Sequence, residues 1–188
     1  YRVECALLKE EDCDVASYEG VIAFTLTNEA LGKIDIETSD NDSRTVFYTS
    51  LYHAFIQPSL ASDVDGRYRT MGHEIKQDAS YTNYTVFSLW DTFRAAHPLY
   101  TIVTPEQNQA FIRSLLRKYD EGGILPKWEL ASNETGTMIG YHAVSVIADA
   151  MMKKQCDFDV KKALEACIRS SVYDTTGVTP MMDRQILN

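Results

Sequence analysis

The chain has 188 residues, of which 18 are Lys or Arg and 27 are Asp or Glu, giving a formal net charge of −9. This acidic balance, without a basic stripe, argues against a protein that binds the phosphate backbone of nucleic acids. Hydrophobic residues make up 45% of the sequence, which is enough for a folded core. No apolar run approaches the roughly 20 residues that span a bilayer, so we expect neither a nucleic-acid partner nor a membrane span.

The first 43 residues differ in composition from the rest of the chain. Lys9 to Asp14 is a charged run, and Asp35 to Ser43 is polar and acidic, which is typical of a linker or an exposed loop. We therefore predict a linker or edge segment over residues 1–43 and one domain over residues 44–188. Because the chain starts at Tyr1 rather than Met, we expect it to be a processed form or an excised piece.

From Arg44 onward, apolar residues recur at three- and four-residue spacing, which predicts helices separated by loops. Pro58 ends the first helix, whereas Thr104 as N-cap and Pro105 in the first turn start the third, which ends at Gly122-Gly123. Strand signals are scarce after residue 40, so the predicted fold class is all-α. The five predicted helices cover residues 44–57, 86–103, 105–122, 138–152 and 159–172.

The four cysteines, Cys5, Cys13, Cys156 and Cys167, form no CxxC motif and have no His at zinc-ligand spacing. We expect free thiols rather than a disulfide pair, with Cys167 buried as a small hydrophobic residue of its helix. The HExxH, GxSxG and phosphate-binding-loop motifs are absent from the sequence. Their absence disfavours zinc hydrolases, hydrolases with a serine nucleophile elbow and P-loop nucleotide hydrolases.

The segment from Ser88 to Arg94 combines an aromatic ring, a carboxylate and a guanidinium group. Asp91 and Arg94 are three residues apart and would face the same side of a helix, next to Trp90. One interpretation is a surface ion pair beside a core tryptophan. The other is a sugar subsite, in which the ring stacks on a pyranose and the charged groups hold its hydroxyls.

The segment from Ser62 to Arg69 is rich in charged and turn residues, which predicts a loop. Asp63 and Asp65 begin like a calcium-binding EF-hand loop, but the later oxygen ligands and the closing Glu are missing. Together with Arg67 and Arg69, these aspartates could form an internal salt-bridge network or line a site for a polyol.

The loop from Pro126 to Gly136 lies between two predicted helices, yet it carries a Trp and two acids. A loop carboxylate near an apolar surface can have a raised pKa and act as a general acid, and Glu134 is the candidate. In the alternative interpretation, Glu134 only starts the following helix, where its charge suits the positive end of the helix dipole. His142 is expected near the same face as Glu134.

Five blocks of the chain combine uncommon groups of aromatic, acidic and basic residues. They are FYTSLYH at 47–53, SDVDGRYR at 62–69, WDTFR at 90–94 with HPL at 97–99, GGILPKW at 122–128 and NETGTMIG at 133–140. In order and spacing, these blocks resemble the catalytic domain of glycoside hydrolase family 92, the calcium-dependent exo-acting α-mannosidases common in gut Bacteroidetes. The resemblance covers about residues 31–188.

This resemblance implies an N-terminal β-sandwich followed by an (α/α)6 toroid, and hydrolysis of terminal α-linked mannose with inversion. It implies a calcium ion at the mannose hydroxyls, although the metal ligands are not assigned to residues of this chain. It also implies that the family's general base comes from later in the polypeptide. This chain would then be an incomplete (α/α)6 catalytic domain that is inactive alone. The implied roles are general acid for Glu134 and substrate binding for Trp90, Asp91, Arg94, Asp63, Asp65 and Arg67.

The implied partners are mannose-containing glycans and either the remainder of the parent enzyme or a second copy of the chain. The rest of the enzyme or a second copy is expected as a partner because a partial toroid exposes apolar helix faces. The implied location is the periplasm, the cell surface or the medium, where glycans are met. The alternative function is a non-catalytic helical glycan-binding or interaction module, in which Glu134 has no chemical role.

Overall fold

The computed structural model describes residues 30–172. The chain divides into two compact units, with the boundary between Ile56 and Gln57. Cys5, Cys13 and most of the predicted linker over residues 1–43 lie outside the described residues.

In the first unit, helix α1 (Asn41–Ala54) begins three residues earlier than predicted. The Asp40 carboxylate accepts hydrogen bonds from the backbone N–H groups of Asp42 and Ser43. This side-chain cap satisfies two N–H groups that have no partner within the helix, so it sets the start of α1. The predicted loop from Asp35 to Ser43 therefore stops at the cap.

The second unit contains five helices and six short strands among the described residues. The strands are β1 (Ser59–Leu60), β2 (Arg67–Arg69), β3 (Ile75–Gln77), β4 (Tyr84–Thr85), β5 (Phe87–Ser88) and β6 (Trp128–Glu129). The helices are α2 (Leu89–Thr92), α3 (Ala96–Val103), α4 (Pro105–Gly122), α5 (His142–Met152) and α6 (Val160–Ser171).

The strands form three two-stranded antiparallel sheets, β1 with β4, β2 with β3 and β5 with β6. The described fold is mainly helical, as predicted, but it is not purely α. Strands of two or three residues are too short to produce the alternating pattern that reveals a strand in a sequence. The predicted loop over residues 62–69 accordingly ends in β2.

The second predicted helix, over residues 86–103, is interrupted in the structure. Strand β5, the short α2 and then α3 occupy this stretch. Val86 has a φ of 65°, a left-handed conformation that a helix cannot contain and that a β-branched residue adopts only at a cost. Pro98 is the third residue of α3, a first-turn position where its missing N–H removes no helical hydrogen bond.

Helix α4 begins at Pro105 and ends before Gly123, whose φ of 90° gives the left-handed conformation typical of a helix end. Both boundaries were predicted. Thr104 is the N-cap residue, but the predicted side-chain cap is absent, because its buried hydroxyl has no hydrogen-bond partner among the described residues. The apolar face of α4, with Phe111, Ile112 and Leu115, forms the centre of the core together with Phe87, Leu89, Ile147 and Ala150.

The last two helices differ from prediction in one boundary and one face. Helix α5 starts at His142, four residues later than predicted, and Ile139 before it is 72% exposed. Helix α6 is capped by Asp159, which accepts from the N–H groups of Lys161 and Lys162. Its buried residues are Ala163 and Ala166, whereas Leu164 is 60% exposed. None of the helices over residues 30–172 is long and apolar enough to cross a membrane.

Candidate functional site

Glu134 lies in the loop between β6 and α5, and its side chain is buried, with only 5% of the residue exposed. Its Oε2 accepts a hydrogen bond from the backbone N–H of Lys127 at 2.6 Å. Its Oε1 accepts from the N–H groups of Trp128 at 2.9 Å and Thr135 at 3.1 Å. Helix α5 starts eight residues later, at His142. Glu134 therefore does not start this helix, and the alternative interpretation of its position is wrong.

Burial raises the pKa of the Glu134 carboxyl above its ordinary value, because desolvation disfavours the charged form. Backbone N–H groups of Lys127, Trp128, Gly136 and Thr135 act in the opposite direction, since they stabilise the carboxylate, but they do not cancel the effect of burial. The sequence-based expectation of a loop glutamate with a raised pKa matches this environment. Such a group holds a proton at a pH where an exposed glutamate has lost it.

Pairing of β5 with β6 brings the segment from Ser88 to Arg94 next to the Glu134 loop. Ser88 lies opposite Trp128 in this sheet, and helix α2 begins immediately after Ser88. Trp128, which lies opposite Ser88, donates its backbone N–H to the Glu134 carboxylate. Trp90 follows Ser88 by two residues and is thus close to this loop. The structure therefore brings together these two sequence-predicted blocks, which are far apart in the chain.

Trp90 is half-buried, and its ring packs on the imidazole of His142. The two ring centroids are 5.0 Å apart with perpendicular planes, and the Phe93 ring lies 4.3 Å from the same imidazole. The sequence predicts that His142 lies near the same face as Glu134, but it does not indicate this aromatic cluster. The contact joins α2 to the first residue of α5, and no local pattern indicates it.

Asp91 and Arg94 are both exposed, but they do not pair with each other. The Asp91 carboxylate accepts a hydrogen bond from the Ser88 hydroxyl. The guanidinium carbon of Arg94 lies 5.0 Å from the centroid of the Phe93 ring. The predicted surface ion pair is therefore absent from this part of the described chain, and both charged groups are open to solvent.

Asp63, Asp65 and Arg67 form a small ion-pair cluster at the start of β2. Arg67 Nε lies 2.7 Å from Asp65 Oδ2, and Arg67 Nη2 lies 3.7 Å from Asp63 Oδ2. Of the two alternatives predicted for this segment, the salt-bridge network is present, with Arg67 paired to both aspartates. These side chains are exposed, and pairs of this kind contribute little to stability.

The end of the same strand touches the Glu134 loop. The carbonyl of Arg69 accepts a hydrogen bond from the Ser132 hydroxyl at 2.6 Å. The loop from Pro126 to Gly136 therefore contacts two of the sequence-predicted blocks, one through β5 and the other through the end of β2.

A buried ion pair beneath this loop was missed by sequence analysis. Lys118 Nζ lies 3.1 Å from Glu129 Oε1, and both side chains are almost completely buried. Lys118 follows Phe111 and Leu115 by seven and three residues, so helical spacing places it on the buried face of α4. A lysine on the buried face of a helix predicts a buried acidic partner, and this is the sequence signal for the ion pair.

Within residues 30–172, no three His, Cys, Asp or Glu side chains come together in a way that could hold a metal ion. Asp63 and Asp65 are the nearest to a calcium pattern in sequence, but in the structure they face Arg67. Cys156 is exposed and Cys167 half-buried, both as free thiols. Cys167 is therefore less buried than predicted. The described residues do not fit a calcium shell on their own.

The chain matches a known protein family over most of its length. The family model for the glycosyl hydrolase family 92 catalytic domain matches residues 25–186. No curated protein is significantly similar to the chain. This family match confirms the resemblance that the five sequence blocks carry.

Solved structures of the same family are also similar to this chain. The family GH92 α-mannosidase BT3965 from Bacteroides thetaiotaomicron is 43% identical with a TM-score of 0.74, and the match covers 79% of this chain and 20% of that chain. Its complex with mannoimidazole gives the same values. The family GH92 inverting mannosidase BT2199 from the same species is 33% identical with a TM-score of 0.73, and the match covers 84% of this chain and 21% of that chain. The chain thus spans about a fifth of the length of these relatives.

Proposed function

Because this chain belongs to glycosyl hydrolase family 92, we propose that it is a segment of an exo-acting α-mannosidase that removes terminal α-linked mannose from glycans with inversion. The observation that carries this proposal is the environment of Glu134, a buried loop carboxyl with a raised pKa. Mannosidase activity of the similar proteins BT3965 and BT2199 supports the same substrate class.

Glu134 is the general acid in this proposal. In an inverting hydrolase, one carboxylic acid protonates the leaving glycosidic oxygen while a second carboxylate takes a proton from the attacking water, the two lying about 6.5–9.5 Å apart. Burial raises the pKa of Glu134, which favours the protonated form that a general acid needs. The general base lies outside this chain.

Substrate binding is assigned to two groups of side chains. Trp90 would stack on the apolar face of the mannose ring, while the exposed Asp91 and Arg94 would bind its hydroxyls. The second group would bind sugar through the exposed cluster of Asp63, Asp65 and Arg67. In this second group, Arg67 would have to share its donors between the aspartates and the ligand, because it is already paired with both.

A calcium ion belongs to the proposal through the family, and its ligands would come from parts of the enzyme other than residues 30–172. When bound, a calcium ion would supply positive charge and oxygen coordination. Chelation with EDTA should therefore lower the activity of the parent enzyme, and added calcium should restore it.

The chain would form part of an (α/α)6 toroid, with residues 1–43 as a linker or edge segment and residues 44–188 as an incomplete helical catalytic domain. It would be inactive alone, because half of the acid–base pair is missing. We assign the whole enzyme to the periplasm, the cell surface or the medium. Cell fractionation with antibody detection tests this location, and a purely cytoplasmic signal would contradict it.

The experiment that tests the proposed function compares the parent enzyme with its Glu134→Gln variant on α-linked mannobiose. Loss of the acid should lower turnover by about 10²–10⁴-fold while binding of mannose, measured by calorimetry, is retained. The 188-residue chain alone should give no turnover. If the parent has no activity on any α-mannoside but binds mannose, the non-catalytic glycan-binding module becomes the better assignment.

A further inference from the structure

The Glu129 carboxylate is completely buried and receives hydrogen bonds from four groups. The Thr85 hydroxyl lies 3.1 Å from Oε1, and the N–H of Val86 donates to Oε2 at 3.1 Å. The N–H of Ser132 donates to Oε1 at 2.6 Å, and Lys118 Nζ donates to the same oxygen at 3.1 Å. The carboxylate thus connects helix α4, the junction of β4 and β5, and the Glu134 loop.

The backbone of the Glu134 loop is unusual where Glu129 binds it. Ala131 and Ser132 have φ values of 51° and 61°, a left-handed conformation that residues other than glycine rarely adopt. The N–H of Ala131 donates to the Thr85 hydroxyl at 2.7 Å, and that hydroxyl in turn lies against the Glu129 carboxylate. Both left-handed residues are therefore tied, directly or through Thr85, to one buried charge, and such a turn persists only where its surroundings hold it.

This turn is built into the backbone that carries Glu134. Leu130 and Asn133 exchange backbone hydrogen bonds at 2.8 and 3.0 Å, which closes the turn. Glu129 and Glu134 face each other in an antiparallel bridge on either side of it. A shift of the turn would therefore move the Glu134 carboxyl relative to the N–H groups that bind it.

A charged residue such as Glu129 is unusual at a fully buried position, where an apolar side chain could fill the same space. Apolar residues of similar volume often replace a buried ion pair without loss of stability. Apolar side chains, however, could not accept the N–H groups of Val86 and Ser132. We propose that Glu129, neutralised by Lys118, is a positioning residue that holds the Glu134 carboxyl where it reaches the leaving oxygen. This inference rests on the proposed role of Glu134 as general acid.

The test uses the full-length parent enzyme and two substrates that differ in leaving group. Hydrolysis of α-linked mannobiose needs the general acid, whereas α-mannosyl fluoride releases fluoride with much less help from an acid. Variants Glu129→Gln and Thr85→Val should lose at least tenfold more kcat on mannobiose than on the fluoride. Misplacement of a reacting group by about 1 Å can cost about a hundredfold in rate. A defect in folding alone would lower both rates by the same factor.

Three control variants distinguish a loss of positioning from a loss of folding. Thr85→Ser keeps the hydroxyl and should restore the mannobiose rate, while Thr85→Val leaves the ion pair in place and so tests the inference if Glu129→Gln does not fold. Leu115→Ala, a core cavity on the same helix as Lys118, should lower both rates equally. Glu134→Gln should show the same preference for the fluoride as the positioning variants.

The outcomes separate the inference from the proposed function. If Glu134→Gln loses mannobiose turnover but Thr85→Val and any folded Glu129→Gln enzyme lose both rates equally, or neither, the positioning role is overturned and the acid role stands. If Glu134→Gln turns over mannobiose normally, the proposed acid is wrong, and the positioning role falls with it.

Discussion

The imidazole ring of His142 lies directly against the backbone of Gly140. A Cβ atom at position 140 would fall 2.1 Å from His142 Cε1, well inside contact distance, and the φ of Gly140 is 112°. His142 in turn packs against Trp90 and Phe93. The glycine is thus required both for its backbone conformation and for the space that the imidazole fills.

We expect Gly140→Ala to destabilise the protein and to displace His142 from its aromatic neighbours. The strained backbone alone should cost about 1–3 kcal/mol, and the clash adds to it. The measurement is the free energy of unfolding of the 188-residue chain in urea. Gly72→Ala is the matched control, because the nearest atom its Cβ would meet is Thr70 Oγ1 at 3.7 Å. Equal unfolding free energies for the two variants would contradict the prediction.

His97 should make the protein less stable as the pH falls. It is buried, and burial lowers its pKa from 6.5 to about 4, while the Asn108 side chain, 3.2 Å from Nδ1, acts in the opposite direction. A depressed folded-state pKa gives stability that is fully present above 6.5 and is lost as the pH falls toward 4. The gap between the two values corresponds to about 3 kcal/mol.

The measurement for His97 is the urea unfolding free energy of the wild type and of His97→Phe across this pH range. The variant should lack most of the decrease on the acid side, because phenylalanine does not titrate. His73→Gln replaces an exposed histidine and should keep the wild-type curve. A wild-type curve that is parallel to that of His97→Phe would exclude a buried neutral histidine.

Glu134 should affect stability with the opposite sign. Burial raises its pKa above the ordinary 4.5, so its contribution is fully present at low pH and is lost as the pH rises through the raised value. Relative to Glu134→Gln, the wild type should therefore lose stability as the pH rises from about 4.5 through the raised pKa of the folded state. Glu74→Gln, at an exposed position, should show no such divergence. Urea unfolding free energies measured across this range check the sign. An increase in the stability of the wild type relative to Glu134→Gln as the pH rises would refute it.

The Asp159 cap should contribute more to the stability of the chain than a neighbouring surface ion pair. Asp159→Ala removes the acceptor for two N–H groups of α6 and should cost about 1 kcal/mol. Asp157→Ala removes an exposed pair with Arg113 and should cost at most about half as much. Thermal unfolding followed by circular dichroism checks the order, and the reverse order would show that α6 does not depend on its cap.

Helix α6 should make the isolated chain self-associate. Val160, Leu164 and Ile168 follow one another at four-residue spacing on α6 and are all exposed, which gives a continuous apolar stripe. In the parent enzyme we expect other parts of the polypeptide to cover this stripe. Light scattering after gel filtration should show oligomers of the chain at high concentration, and Leu164→Glu should shift them toward monomer. A wild-type chain that stays monomeric at every concentration would count against an exposed interface.

Local sequence signals determined most of the helices, because caps, helix-ending residues and apolar spacing act over a few residues. The end of α4 at Gly123 and the start of α6 after Asp159 are examples. The sequence also identified Glu134 as a loop carboxyl with a raised pKa, since it lies between two helical patterns in an aromatic loop. Short strands and the break at Val86 were not predicted, because they depend on pairing with distant segments.

Only the tertiary structure decided which of these groups meet. The sequence does not show that Glu129 would pair with the buried Lys118 of α4, or that Ser88 would lie opposite Trp128. It also gives no sign that His142 would pack on Trp90. Hydrophobic periodicity records which side of an element is buried but not which distant element covers it. A buried charge finds its partner only when the core closes around it, because only there does an unpaired charge become costly.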